Sequence, residues 1–160
     1  MNLLFLDVST KTGWAAYIDD AARTNYIEVG KETFETKRGE SNGMRFLKFR
    51  TWLDQITDIV NPKIVGYEMA HYRGGAATEL CVGLVTRVQE VAAHKGIEYV
   101  GVHSCTLKKF ITGSGKGDKS KVMEAVKKLY PDIRAAHEDD DIADALAGIT
   151  WLKNEYCRRG

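Results

Sequence analysis

The sequence predicts an α/β fold, a five-stranded mixed sheet flanked by helices on both faces. Three observations carry that expectation. Residues 2–36 contain three segments of strand character separated only by turns. After Met44 the apolar residues recur every three to four positions, and helical segments then alternate with short apolar runs. The chain closes on further helical segments. A meander followed by helix, strand, helix and strand needs antiparallel and parallel pairing in one sheet, covered on both sides.

Taken in order, residues 2–8 read as a central strand, because Leu3-Leu4-Phe5-Leu6 is apolar on both faces. Residues 13–18 pair back through a Ser9–Thr12 turn, and Asp19-Asp20 ends them. Residues 25–36, rich in β-branched and aromatic side chains, supply the third strand, and Gly39 to Gly43 is a loop. From Met44 an amphipathic helix carries Phe46, Leu47, Trp52 or Leu53, Ile56, Ile59 and Val60, and stops at Asn61-Pro62. Residues 64–68 form a short buried strand, and residues 71–75 a polar loop.

Residues 76–95 form a helix with Leu80, Leu84, Val88 and Val91 as its stripe and Gly96 as its terminator. Residues 98–102 are the fifth strand. Ser104 is placed to cap a short helix through Phe110, which the glycines at 113–117 break. Asp118 caps a helix running to Tyr130, before Pro131, and residues 139–156 make the last helix.

At 160 residues and 17.9 kDa the chain is expected to be a single domain, 1–160. A net charge of +1 excludes a uniformly basic nucleic-acid binder but permits a polarised one. Cys81, Cys105 and Cys157 are odd in number and form no CxxC pair, so reduced thiols are expected. No signal segment and no apolar run of membrane-spanning length stands out, so the expectation is a cytoplasmic protein with no membrane partner.

Four acids fall at element ends. Asp7 tips the first strand, Glu68 ends the run 63–67, and Asp141 and Asp144 open the last helix. A carboxylate at the tip of a buried strand is costly unless paired, and a divalent cation is the usual partner. Two such ions about 3.5–4 Å apart suit phosphodiester hydrolysis. Asp7, on the most rigid element, is the natural bridging ligand, and Asp141 and Asp144 share a helix face. Acids in a first helical turn are also favoured by the helix dipole alone, and the run 137–141 also reads as solvated charge, the reading preferred for Glu138 and Asp139. Asp140 in place of Asp141, and assistance from His137, stay open. His71, His94 and His103 show no ligand spacing.

The segment 108–121 is the strongly basic one, with Lys108, Lys109, Lys116, Lys119 and Lys121 around three glycines. Glycines let backbone amides approach a phosphate that lysines neutralise, although the segment is not a Walker loop. Tyr72 and Arg73, just after Glu68, suit stacking on an unpaired base, with a packed tyrosine as the plainer reading.

Together, residues 6–15, Tyr67-Glu68, the 108–122 segment and residues 141–147 resemble, in order, the RuvC family of Holliday junction resolvases, the phage-encoded branch in particular. The resemblance implies an RNase H-like fold, a homodimer, and magnesium dependence with manganese as a substitute. It also implies paired nicking of branched DNA. Asp7, Glu68, Asp141 and Asp144 match the family's metal-binding acids. Lys108, Lys109, Lys116, Lys119 and Lys121 fall where the family contacts DNA, and Tyr72 lies near the family's loop aromatic. Subunits would pack through the 76–95 helix, whose small-residue face is Ala76, Ala77 and Gly83.

The alternatives are a ribonuclease H acting on RNA–DNA hybrids, an actin-like ATPase or sugar kinase, and a junction-binding protein that does not cut. The second needs two such domains. The third gains nothing from four carboxylates facing a polyanion.

Overall fold

The computed structural model describes residues 1–22, 24–72 and 74–157. Its strands are β1 (Leu3–Asp7), β2 (Lys11–Ile18), β3 (Tyr26–Thr33), β4 (Ile64–Glu68) and β5 (Glu98–Val102). They form one sheet in the order β3-β2-β1-β4-β5. The β1–β2 and β2–β3 pairs are antiparallel, while β1–β4 and β4–β5 are parallel. The sheet is mixed and five-stranded, with β1 at its centre.

The helices are α1 (Asn42–Val60), α2 (Gly75–Lys95), α3 (Ser104–Thr112), α4 (Lys119–Leu129), α5 (Ala135–Glu138) and α6 (Asp140–Cys157). Successive strand residues point to opposite faces, so each strand divides its side chains between two cores. Leu3, Phe5, Ala15, Tyr17 and Ile64 pack with α6 residues Ala143, Leu146, Ile149 and Leu152. Leu4, Leu6, Ala16, Val65 and Tyr67 pack with Phe49 and Leu53 of α1 and Leu84 and Val88 of α2. Burial of these side chains, the leucines, isoleucines, valines and phenylalanines each contributing about 1.5–3 kcal/mol, is the main stabilising term.

Helix α6 lies unusually close to the sheet. A Cβ on Gly148 would meet the Phe5 ring at 2.1 Å, and one on Gly66 would meet the same ring at 2.6 Å. Two turns earlier on α6, a Cβ on Gly13 would stand 2.0 Å from the Asp141 carbonyl oxygen. Three missing side chains therefore let one helix lie against β1, β2 and β4.

Several expectations need correction. The buried stripe of α1 is Phe49, Leu53, Ile56, Thr57 and Val60, whereas Leu47 is 56% and Ile59 83% exposed. The helix packs on the sheet and on α2, so its two flanks reach solvent. Ser104 does not cap α3: His103 is the capping position, with no side-chain bond, and Ser104 is the first helical residue. Asp118 does cap α4, its Oδ1 accepting from the Lys121 amide at 3.0 Å. Gly83 does not offer a close-approach face to a second subunit, because a Cβ there would meet the Phe46 ring of α1 at 2.4 Å. Ala76 and Ala77 remain exposed. The short α5 was not foreseen. Among the described residues no helix is long and apolar enough to cross a membrane.

Candidate active site

The hairpin between β1 and β2 is built on side-chain bonds that replace backbone ones. Thr12, fully buried, donates from Oγ1 to the Ser9 carbonyl at 2.7 Å. Ser9 Oγ accepts from the Lys11 amide at 3.1 Å and donates to the Lys11 carbonyl at 2.8 Å. These Ser/Thr turns tighten the connection and set Asp7 opposite Gly13. On β4, Glu68 pairs with Val102. Alternation from Leu3 and Phe5 on β1, and from Ile64 and Gly66 on β4, directs Asp7 and Glu68 to the face that α6 covers.

Helix α6 delivers the other two acids. Asp139, immediately before it, accepts from the amides of Asp141 at 3.0 Å and Ile142 at 3.2 Å through Oδ1, capping the helix. Asp141 and Asp144 then stand in the first turns above Gly13. All four acids line one cavity of about 510 Å³, with Ser9, His71, Lys108 and Lys119 on its polar side and Leu107, Ile111, Val122 and Ala147 on its apolar side.

Burial, followed by the charges of Asp144, Glu68 and Asp141, pushes the Asp7 carboxyl up from 3.8 to about 8. Burial and then Glu68 raise Asp144 to about 6, against a lowering pull from Lys119. These acids repel one another in a poorly hydrated cleft. The nearby lysines offset this repulsion only in part: Lys119 holds Asp140 at 2.5 Å, while Lys31 holds Asp139 at 2.8 Å and, of the four acids, Asp141 at 2.6 Å. A set of hard oxygen donors on rigid elements, with Asp7 and Asp144 raised by burial and mutual repulsion, fits divalent cations such as magnesium.

Other residues stand as follows. Tyr72 is not packed: it is 90% exposed. Arg73 lies outside the described residues. Lys108 and Lys119 line the cavity, while Lys109, Lys116 and Lys121 are exposed on α3, the glycine segment and α4 beyond it. Asp140 faces Lys119, and His137 Nε2 lies 3.0 Å from the Tyr130 carbonyl. Asp139 is not a solvated charge but a helix cap held by Lys31. Among the described residues, the three acids whose oxygens all lie within 4.8 Å of one another are Asp139, Asp140 and Asp141. Asp141 joins that group to the cavity.

Two residues in contact with the acids escaped sequence reasoning. His71 contacts Glu68, Nε2 to Oε1 at 3.0 Å, and lines the cavity. Its position three after Glu68 was the available signal. Lys31 reaches Asp141 across 110 residues of sequence, and nothing local marks it.

A 3-2-1-4-5 mixed sheet with acids at the ends of two central parallel strands, crossed by a helix bearing two more, defines an RNase H-like nuclease domain. The model of the family "Crossover junction endodeoxyribonuclease RuvC" matches residues 7–150, and the chain belongs to that family. It is 28% identical to RuvC of Rubrobacter xylanophilus over 147 residues, 91% of this chain and 80% of that protein. It is 31% identical to RuvC of Prochlorococcus marinus over 132 residues, covering 81% and 82%. The fold is similar to that of Thermus thermophilus RuvC in complex with Holliday junction substrate. The TM-score is 0.80 at 20% identity, over 100% of this chain and 96% of that one.

Proposed function

We propose that this chain is a metal-dependent endonuclease that resolves Holliday junctions and related branched DNA by paired nicking, as a homodimer. The observation that carries this reading is the gathering of Asp7, Glu68, Asp141 and Asp144 around one cavity with Lys108 and Lys119 at its side. The family's name and the junction bound by the Thermus relative support the choice of substrate.

Asp7, Glu68, Asp141 and Asp144 would hold magnesium, or manganese in its place. Bound there, such ions would supply an activated water and offset charge at the leaving oxygen, the chemistry that gives 5′-phosphate and 3′-hydroxyl ends. The chain's own residues do the rest. β1 and β4 fix Asp7 and Glu68 at the sheet edge, and Lys108 and Lys119 draw a phosphate toward them. Leu107, Ile111 and Ala147 limit water behind it. Tyr72, standing free in solvent, is available to stack on a base splayed from the branch point. The exposed first turn of α2, with Ala76 and Ala77, is the surface for a second subunit, which would set two sites on strands of like polarity. The compartment that fits this work is the cytoplasm.

The test is cleavage of a synthetic four-way junction with magnesium, beside linear duplex and an RNA–DNA hybrid. Symmetric nicks on the junction, lost with EDTA, are expected. Preferential cutting of the hybrid favours a ribonuclease H instead, and tight binding without cutting in either metal overturns the nuclease reading.

Lysine contacts with phosphate make a second expectation. Log affinity for the junction falls linearly with log salt, at about −0.9 per duplex phosphate neutralised. Lys116→Ala and Lys121→Ala each flatten that slope by roughly one contact and weaken all junction sequences alike. Fluorescence anisotropy across a salt series measures both.

A further inference from the structure

Lys31 belongs to a row of residues that crosses three strands. Asp7 pairs with Gly13, and Gly13 pairs with Lys31, so all three point to the face that α6 covers. Gly13 has no side chain, and the first turn of α6 occupies the room it leaves. Asp141 is therefore held between the Asp7 strand and the Lys31 strand. Lys31 Nζ lies 2.6 Å from Asp141 Oδ2 and 2.8 Å from Asp139 Oδ2.

The oxygens divide their tasks. Asp139 gives Oδ1 to the amides of α6 and Oδ2 to Lys31. Asp141 gives Oδ2 to Lys31 and is itself one of the residues that line the cavity. Both partners are largely shielded from solvent, at 26% and 22% side-chain exposure, so water screens the contact less than at an open surface. Lys119, another cation close by, is paired with Asp140.

We propose that Lys31 is a positioning residue that restricts Asp141 to one free oxygen and lowers the affinity of the acid cluster for divalent metal. The proposal rests on the four acids holding metal. Lys31 competes for Asp141, so the cluster trades affinity for a fixed ligand geometry. A carboxylate released from a lysine is the stronger ligand but the looser one.

The experiment is a manganese titration of the DNA-free protein, followed by electron paramagnetic resonance of free Mn²⁺, on the parent, Lys31→Met, Lys31→Arg and Asp7→Asn. Lys31→Met is expected to bind manganese roughly tenfold more tightly, because a competing cation is removed, and to turn over junctions roughly tenfold more slowly at saturating metal, a loss within the range typical of groups behind metal ligands. Lys31→Arg, which keeps the charge and the reach, returns both values toward the parent. A merely structural role lowers the melting temperature without tightening the metal midpoint. A midpoint in Lys31→Met equal to or weaker than the parent's overturns the proposal, while the parent's own binding, abolished by Asp7→Asn, leaves the metal site standing. No manganese binding by the parent overturns that site and this proposal with it.

Discussion

Asp7→Asn is expected to abolish junction cleavage, by at least about 10³-fold, while making the metal-free protein more stable at pH 8. The two effects have one cause. Asp7 sits among Asp144, Glu68 and Asp141 in a site that burial deprives of water, which raises its carboxyl to about 8. Between its ordinary 3.8 and that value the folded chain binds a proton that the unfolded chain has released. Stability without metal therefore falls as pH rises through this window. Ionising such a group costs the folded state on the order of 5 kcal/mol. Asparagine keeps the shape and removes the charge, so a few kcal/mol returns, about 5–10 °C in melting temperature for a chain of this size.

Melting curves from pH 4 to 8 in EDTA measure this directly. The parent loses stability across the range, and Asp7→Asn loses much less. Magnesium restores the parent at pH 8 and leaves the variant nearly unmoved. Equal pH dependence in the two proteins refutes the electrostatic account of the cluster.

Gly13→Ala is the second large effect. The added Cβ would lie 2.0 Å from the carbonyl oxygen of Asp141 and 2.4 Å from its carbonyl carbon. Both are backbone atoms of α6, so no rotamer change relieves the overlap and the first turn must lift. Overpacking of this kind costs about 1–3 kcal/mol or more. The lifted turn carries Asp141 and Asp144 away from Asp7, and a displacement near 1 Å costs about 10²-fold in rate. Gly148→Ala is the informative comparison. Its Cβ would press on the Phe5 ring, two turns from Asp141, so stability falls with a smaller loss of cleavage at equal destabilisation. Matching thermal melts to cleavage rates separates the two. A Gly13→Ala protein with parental rates shows that the close approach of α6 is not what aligns the acids.

The legibility of this chain follows from where its signals lie. The strands were readable because Leu3-Leu4-Phe5-Leu6 and Ile64-Val65 are apolar on both faces, and the acids because each ends such a run or sits among alanines. Lys31 and the role of Asp139 were not readable. They depend on the register that sets Lys31 opposite Gly13, and register is a property of three strands together. His71 was passed over because ligand spacing was sought among the histidines themselves and not against Glu68, three residues before it. The stripe of α1 was misjudged at Leu47 and Ile59 because a helix wedged between a sheet and a second helix shows no single clean period. Ser104 missed its cap by one residue, where local preference yielded to the end of β5.

The four acids are drawn from β1, β4 and α6, and α6 is docked across the other two through Gly13 and Gly148. A ribosome makes the first two contributors long before the third. Until residue 144 has emerged and α6 has settled into its glycine seats, the nascent chain holds only two of the four acids. On the reading proposed above, synthesis order and close packing together delay completion of the metal site until the chain is folded.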